Sequence, residues 1–398
     1  MMFFEDKIII TWFFVIATSA VMTTFLFSNT PVSFMNKPET SGNSVVKLGD
    51  CQSSDNKYQC WEDLITATLK AGGLDSALEV LAGLYYSEPE FAGECHSYIH
   101  TLGEAAYRQF SQNGIFEVTF KSSYCGYGFY HGFMETLIQD GKSPAEASEL
   151  CSDADKQLAG YTSKASIACY HGIGHGFVDG SDPRAWGNPA AVIKPGLDIC
   201  KKISDNKEII YLCATGVFNS LAIAYNGNQY GLKPNRENPY GICGDQESHE
   251  FKRACYQEMN TLVFSIGGSF AEAANFLKKI PELIYAQFAT EQLAGVAATL
   301  SIDDEYISIC QSLETKDFCL RGLVGGTLEY GKPGAEYYKA LELCEKDAWE
   351  RREKEVCYLY LISSVRHLYQ SEKAKEVCRL IPEEYRNVCS SSEIDPAT

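Results

Sequence analysis

From Ile8 to Ser28 the chain carries no charged residue, and Phe, Ile, Val, Trp and Leu dominate. About 20 apolar residues span a bilayer as a helix. No small-residue cleavage site of the Ala-x-Ala kind follows the run, so residues 8–28 read as an uncleaved transmembrane signal-anchor helix behind a short flank, residues 1–7. Residues 29–50 are polar, with Pro, Gly and Ser, and read as a flexible tether. From 51 to 398 the pattern changes to short amphipathic stretches, such as SPAEASELC (143–151), PGLDIC (195–200) and YYKALELC (337–344). Each leads through a loop to a second, more apolar stretch. This spacing predicts helices nearly throughout and no substantial sheet.

The 16 cysteines, all behind the apolar span, organise this region. They fall into neighbours: 51 and 60, 95 and 125, 151 and 169, 200 and 213, 243 and 255, 310 and 319, 344 and 357, 378 and 389. The second members 125, 169, 213 and 255 step by 44, 44 and 42 residues, a period in the range of repeat architectures. Each unit is expected to be an antiparallel helical hairpin with one disulfide across it. The fold class expected is therefore all-α: an α-solenoid of disulfide-stapled hairpins over residues 51–398. Residues 269–295 read as a hairpin without cysteines, and 61–86 as a helix pair opening the array. The hairpin logic is similar to that of tetratricopeptide-type repeats, but their diagnostic signature does not recur.

The segments after the second cysteines share small residues at the third and seventh places: Gly128 and Gly132, Gly172 and Gly176, Gly216 and Ser220, Gly322 and Gly326. Positions four apart share one helix face. Glycine costs a helix up to about 1 kcal/mol relative to alanine, so the pattern predicts a groove into which a neighbouring backbone packs. Two insertions rich in Gly, Pro and Asn, 179–195 and 226–241, read as loops emerging on one side of successive repeats.

Composition changes the picture in two ways. The net charge of −18 repels polyanions, which excludes nucleic acid and favours proteins or cationic ligands as partners. An even set of cysteines behind an export segment, with no Cys-x-x-Cys, implies disulfides and an oxidising compartment. The expected location is a single-pass membrane protein with its C-terminal domain outside the cytoplasm.

The candidate chemistry lies in the histidines. His-Glu-x-x-His, a P-loop and an EF-hand loop are all absent, so no complete catalytic signature is present. Five of the seven histidines fall between residues 96 and 175. His131 and His175 hold the same place in successive repeats, six residues after their cysteines, and Glu135 and Asp179 match ten residues after. His171 lies one turn before His175, and His96 and His100 are likewise four apart. Two readings stay open for these residues: packing and hydrogen bonding within the helical array, or a site for a divalent transition metal, for which imidazole with carboxylate suits zinc, iron or copper. The functions expected are a membrane-tethered binding or scaffold protein, or a metal-dependent enzyme or redox protein built on these histidines, or a structural envelope protein.

Overall fold

In the computed structural model the described residues are 51–52, 54, 56–159, 165–178 and 180–390. The expected membrane span and tether, and Asp179, lie outside them. The described residues are helical, with no strand among them. The array opens with α1 (Lys57–Ser87), two helices joined at Gly73, whose φ of 80° breaks the helical path. The short α2 (Pro89–Gly93) leads to α3 (Cys95–Asn113) and α4 (Gly128–Gln139). Hairpins follow: α5 (Pro144–Gln157) with α6 (Ala165–Gly176), α7 (Pro189–Ile203) with α8 (Lys207–Asn226), and α9 (Gly241–Gly244) with α10 (His249–Glu258). After α11 (Asn260–Gly267), α12 (Phe270–Leu277) and α13 (Leu283–Ala298) form the hairpin without cysteines. The rest is α14 (Asp304–Ser312) with α15 (Lys316–Glu329), α16 (Tyr337–Glu345) with α17 (Arg351–Leu368), and α18 (Ser371–Leu380) with α19 (Glu383–Ser390).

Local sequence sets where these helices begin. A side-chain oxygen at the N-cap satisfies a backbone N–H that the helix leaves unpaired. Ser143 caps α5 in a reciprocal box with Glu146, Ser248 caps α10, Ser269 caps α12 and Asp303 caps α14. The same logic corrects one boundary. Residues 189–195, expected to be loop, belong to α7, because Asn188 accepts from the Ala191 N–H and Pro189 takes the first turn. There its missing donor costs nothing.

All eight expected cysteine pairs are disulfides, including Cys95–Cys125 across 30 residues. In the α5–α6 hairpin Cys151 meets Cys169 and Ser148 meets Tyr170, so the two helices run in opposite directions. α3 packs parallel on α4, with Gly128 at His96 and Gly132 at His100, so the Cys95–Cys125 unit is not the antiparallel hairpin expected of it. The second helices then pack successively: α4 on α6, α6 on α8, α8 on α10, α10 on α13, α13 on α15 and α15 on α17. These contacts are parallel, and the glycines make them close. A methyl group at Gly128 would lie 2.9 Å from the His96 carbonyl oxygen, and one at Gly172 2.6 Å from that of Tyr130. Methyls at Gly132, Gly216 and Gly322 would run into the carbonyls of His100, His171 and Glu291.

α8 is long and apolar enough to cross a membrane, but it is mostly buried, packed among α6, α7, α10 and α11. The two insertions meet: the Gly187 N–H donates to the Tyr230 carbonyl at 2.9 Å, and the Trp186 and Tyr230 rings are 6.2 Å apart.

The run of second helices curls until its early part meets its late part. Cys125, Gly126 and Tyr127 all take left-handed φ, at 51°, 72° and 60°, a costly corner for the two non-glycine residues. The corner lets the Gly126 N–H donate to the Glu329 carbonyl at 3.0 Å. Gly126 has no side chain to spare there, because the Tyr330 ring lies 2.5 Å from where its Cβ would be. Nearby, the Tyr86 hydroxyl donates to the Pro333 carbonyl at 3.0 Å.

Candidate metal centre

Close packing of α4 on α6 at Gly172 and of α6 on α8 at Gly216 brings three imidazoles together. His131 comes from α4, and His171 and His175 come from α6. Ring centroids are 4.8 Å apart for His131–His171 and 4.9 Å for both His131–His175 and His171–His175. One ring nitrogen from each lies within 4.8 Å of the others, and the Nε2 atoms of His171 and His175 are 3.1 Å apart. Three nitrogens tetrahedrally placed around zinc at about 2.0–2.1 Å lie about 3.3 Å from one another. Small side-chain motions therefore suffice to bring all three onto one ion.

Burial holds these rings neutral. It pushes His131 well below the usual histidine range, and His171, His175, His96 and His100 add to the effect. Burial does the same to His171, with help from His175 and His96. His175 is lowered to about 4 by burial, against the pull of the Glu135 charge. Neutral imidazole is the form that donates a lone pair to a metal.

The next repeat orients the rings. His171 Nδ1 is 2.7 Å from Thr215 Oγ1, and the Thr215 hydroxyl donates to the Leu212 carbonyl at 2.6 Å. Thr215 can then only accept from the imidazole, so the proton of His171 sits on Nδ1 and its Nε2 presents a lone pair. His175 Nδ1 is 2.8 Å from Ser220 Oγ. A serine hydroxyl either donates or accepts, so it supports the Nε2–H tautomer and, after rotation, the Nδ1–H tautomer that frees Nε2 for an ion.

Comparison with protein-family models, with curated proteins and with solved structures finds no match for this chain.

The other sequence-predicted residues divide. His96 lies against the trio, its ring centroid 5.3 Å from that of His131, with Nδ1 held 2.8 Å from the Cys125 carbonyl. Burial lowers its pKa. His100 and Glu135 are not in the cluster of three. His100 Nε2 is 3.1 Å from Glu135 and its Nδ1 3.5 Å from Glu104, so both nitrogens face carboxylates. Burial opposes its charge, but Glu135 and then Glu104 more than offset this and raise its pKa. The hydrogen bond from His100 lowers Glu135 in turn. The pair neutralises itself beside the site.

Sequence reasoning missed Thr215, Ser220, Asn219 and Glu258. A signal existed: Thr215 and Asn219 occupy, after Cys213, the places that His171 and His175 occupy after Cys169. Glu258 is buried, accepts from Asn219 and Gln257, and is pushed up to about 8 by burial.

Proposed function

We propose that the chain is a membrane-tethered, extracytoplasmic α-solenoid protein that holds one divalent transition metal ion at His131, His171 and His175. The observation that carries this reading is the convergence of three neutral imidazoles from two repeats, with donor atoms within 4.8 Å. The Nδ1 atoms of His171 and His175 being held by hydroxyls supports it, because metal-bound histidines are oriented by partners of this kind. An all-imidazole set with every described cysteine oxidised suits zinc, iron or copper and excludes thiolate ligation. The eight disulfides support the oxidising compartment, and the apolar run at 8–28 supports the anchor.

Three protein ligands leave a coordination position for water or substrate, the arrangement of catalytic rather than structural zinc. An ion held there supplies Lewis acidity and lowers the pKa of a bound water. The chain's own part is to keep the imidazoles neutral and aimed. The test is the metal content of the full-length protein, purified in detergent and exposed to zinc. One ion per chain is expected, and a His131→Ala, His175→Ala double variant should lose it while keeping all eight disulfides. Equal metal in the two proteins would refute the assignment.

The joined insertions favour a second reading, in which this protein is also a binding scaffold. They present Trp186 at 52% exposure beside Tyr230. A ligand of that surface should quench or shift Trp186 fluorescence, and no change on Trp186→Phe would exclude the surface.

A further inference from the structure

Ser220 stands seven residues after Cys213, where the matching positions after Cys125, Cys169 and Cys319 are Gly132, Gly176 and Gly326. In this repeat the small-residue stripe gains a hydroxyl, and its Oγ lies 2.8 Å from His175 Nδ1. The other nitrogen of that ring, Nε2, lies 3.1 Å from His171 Nε2. His171 Nδ1 in turn lies 2.7 Å from Thr215 Oγ1, which donates to the Leu212 carbonyl at 2.6 Å.

The protons of this chain of bonds can be placed one by one. A carbonyl only accepts, so the Thr215 hydrogen points at Leu212, and Thr215 accepts from His171 Nδ1–H. A neutral imidazole carries one N–H, so His171 Nε2 is bare. It meets His175 Nε2 as an acceptor, which puts the His175 proton on Nε2. His175 Nδ1 is then bare, and the Ser220 hydroxyl donates to it. The site is closed on itself in this arrangement. The lone pair of His171 and the proton of His175 satisfy each other, and the His175 nitrogen nearest His171 has no lone pair to offer an ion.

Resting on the reading of the three histidines as a metal site, we propose that Ser220 is the hydrogen-bond switch that lets His175 change tautomer when an ion arrives. The His175 proton leaves Nε2 and one is taken up at Nδ1, with solvent as the carrier, so the ring stays neutral and no net proton is gained or lost. Nε2 then offers its lone pair beside that of His171 Nε2. Ser220 turns from donor to acceptor for the new Nδ1–H. Its own hydrogen can go to the carbonyl one turn back, a bond that serine makes inside helices. A hydroxyl both donates and accepts, so one side chain serves both tautomers. Thr215 has its hydrogen committed and holds His171 in the metal-ready tautomer throughout. Ser220 acts through His175 as a positioning residue.

The experiment reads the imidazole nitrogens directly. The full-length chain in detergent, carrying nitrogen-labelled histidine, is followed by NMR through a zinc titration. The His175 signals are assigned in the zinc-free protein against a His175→Gln sample. Without zinc, His175 should show a protonated Nε2 and a bare Nδ1; with zinc, it should show a protonated Nδ1. His171 should show Nδ1–H in both states. Ser220→Ala, checked for its disulfides and melting, should bind zinc at least about tenfold more weakly, the lower end of what lost ligand-orienting partners cost. The same His175 tautomer in both states, or wild-type zinc affinity in Ser220→Ala, overturns the switch and leaves the three histidines standing. Failure of the wild type itself to bind zinc overturns both.

Discussion

Gly172→Ala isolates the packing logic of the array. The added methyl would lie 2.6 Å from the Tyr130 carbonyl oxygen, and that oxygen belongs to the backbone of α4 and cannot rotate away. An ordinary contact needs about 3.4 Å, so α4 and α6 must separate by about 0.8 Å at this point. Overpacking of this kind costs about 1–3 kcal/mol, and alanine returns up to about 1 kcal/mol in helix propensity. The net loss is about 1–2 kcal/mol, or roughly 2–4 °C in a chain this long. Gly325→Ala is the control. Its methyl would make an ordinary 3.4 Å contact with the Tyr360 hydroxyl, so only the propensity gain applies. Thermal melts followed by circular dichroism should rank Gly325→Ala at or above wild type and Gly172→Ala below it. Because the same seam carries His131 against His171 and His175, Gly172→Ala should also weaken metal binding. A Gly172→Ala protein that melts at or above wild type would refute the close-packing account.

Thr215→Val leaves the His171 Nδ1–H without an acceptor; it should cost about 1–3 kcal/mol, and nitrogen chemical shifts of His171 should show loss of the single tautomer. Metal-free protein should weaken in acid: the folded pKa of His175 is about 4 against 6.5 for the free side chain, so its contribution is complete above pH 6.5 and fades as pH falls toward 4. The change amounts to up to about 3 kcal/mol, and urea unfolding at pH 7, 5.5 and 4 that shows no loss would contradict it. Replacing both Cys200 and Cys213 by Ser opens a link across 13 residues and should cost about 3 kcal/mol in the chain-entropy view, read as a lower urea midpoint.

Much of the fold was legible because disulfides and glycines mark it locally. Neighbouring cysteines at a regular period can hardly pair otherwise, and glycines at Gly128, Gly132, Gly172 and Gly322 answer to backbone contacts that any side chain would block. The meeting of Gly126 with Glu329 and Tyr330 was not legible, because it depends on curvature accumulated over some 200 residues of packing. At the site, His131 and His175 were visible as equivalents, and His171 as one turn away. The fate of His100 was not. Glu135 and Glu104 flank it in space, and ion pairing to them outweighs the cost of burial. Thr215, Ser220 and Asn219 were hidden for a different reason: the third repeat replaces imidazoles by hydroxyls and an amide. Reading it only for further histidines misses that it serves those of the second.

X-ray absorption at the zinc edge of the metal-loaded, full-length protein tests the central claim most directly. About three imidazole nitrogens at about 2.0–2.1 Å are expected, with one oxygen completing the shell and no sulfur. The imidazole signal should vanish in a His131→Ala, His171→Ala, His175→Ala variant. A shell of oxygens alone, a shell containing sulfur, or an imidazole signal that survives the triple substitution would contradict it.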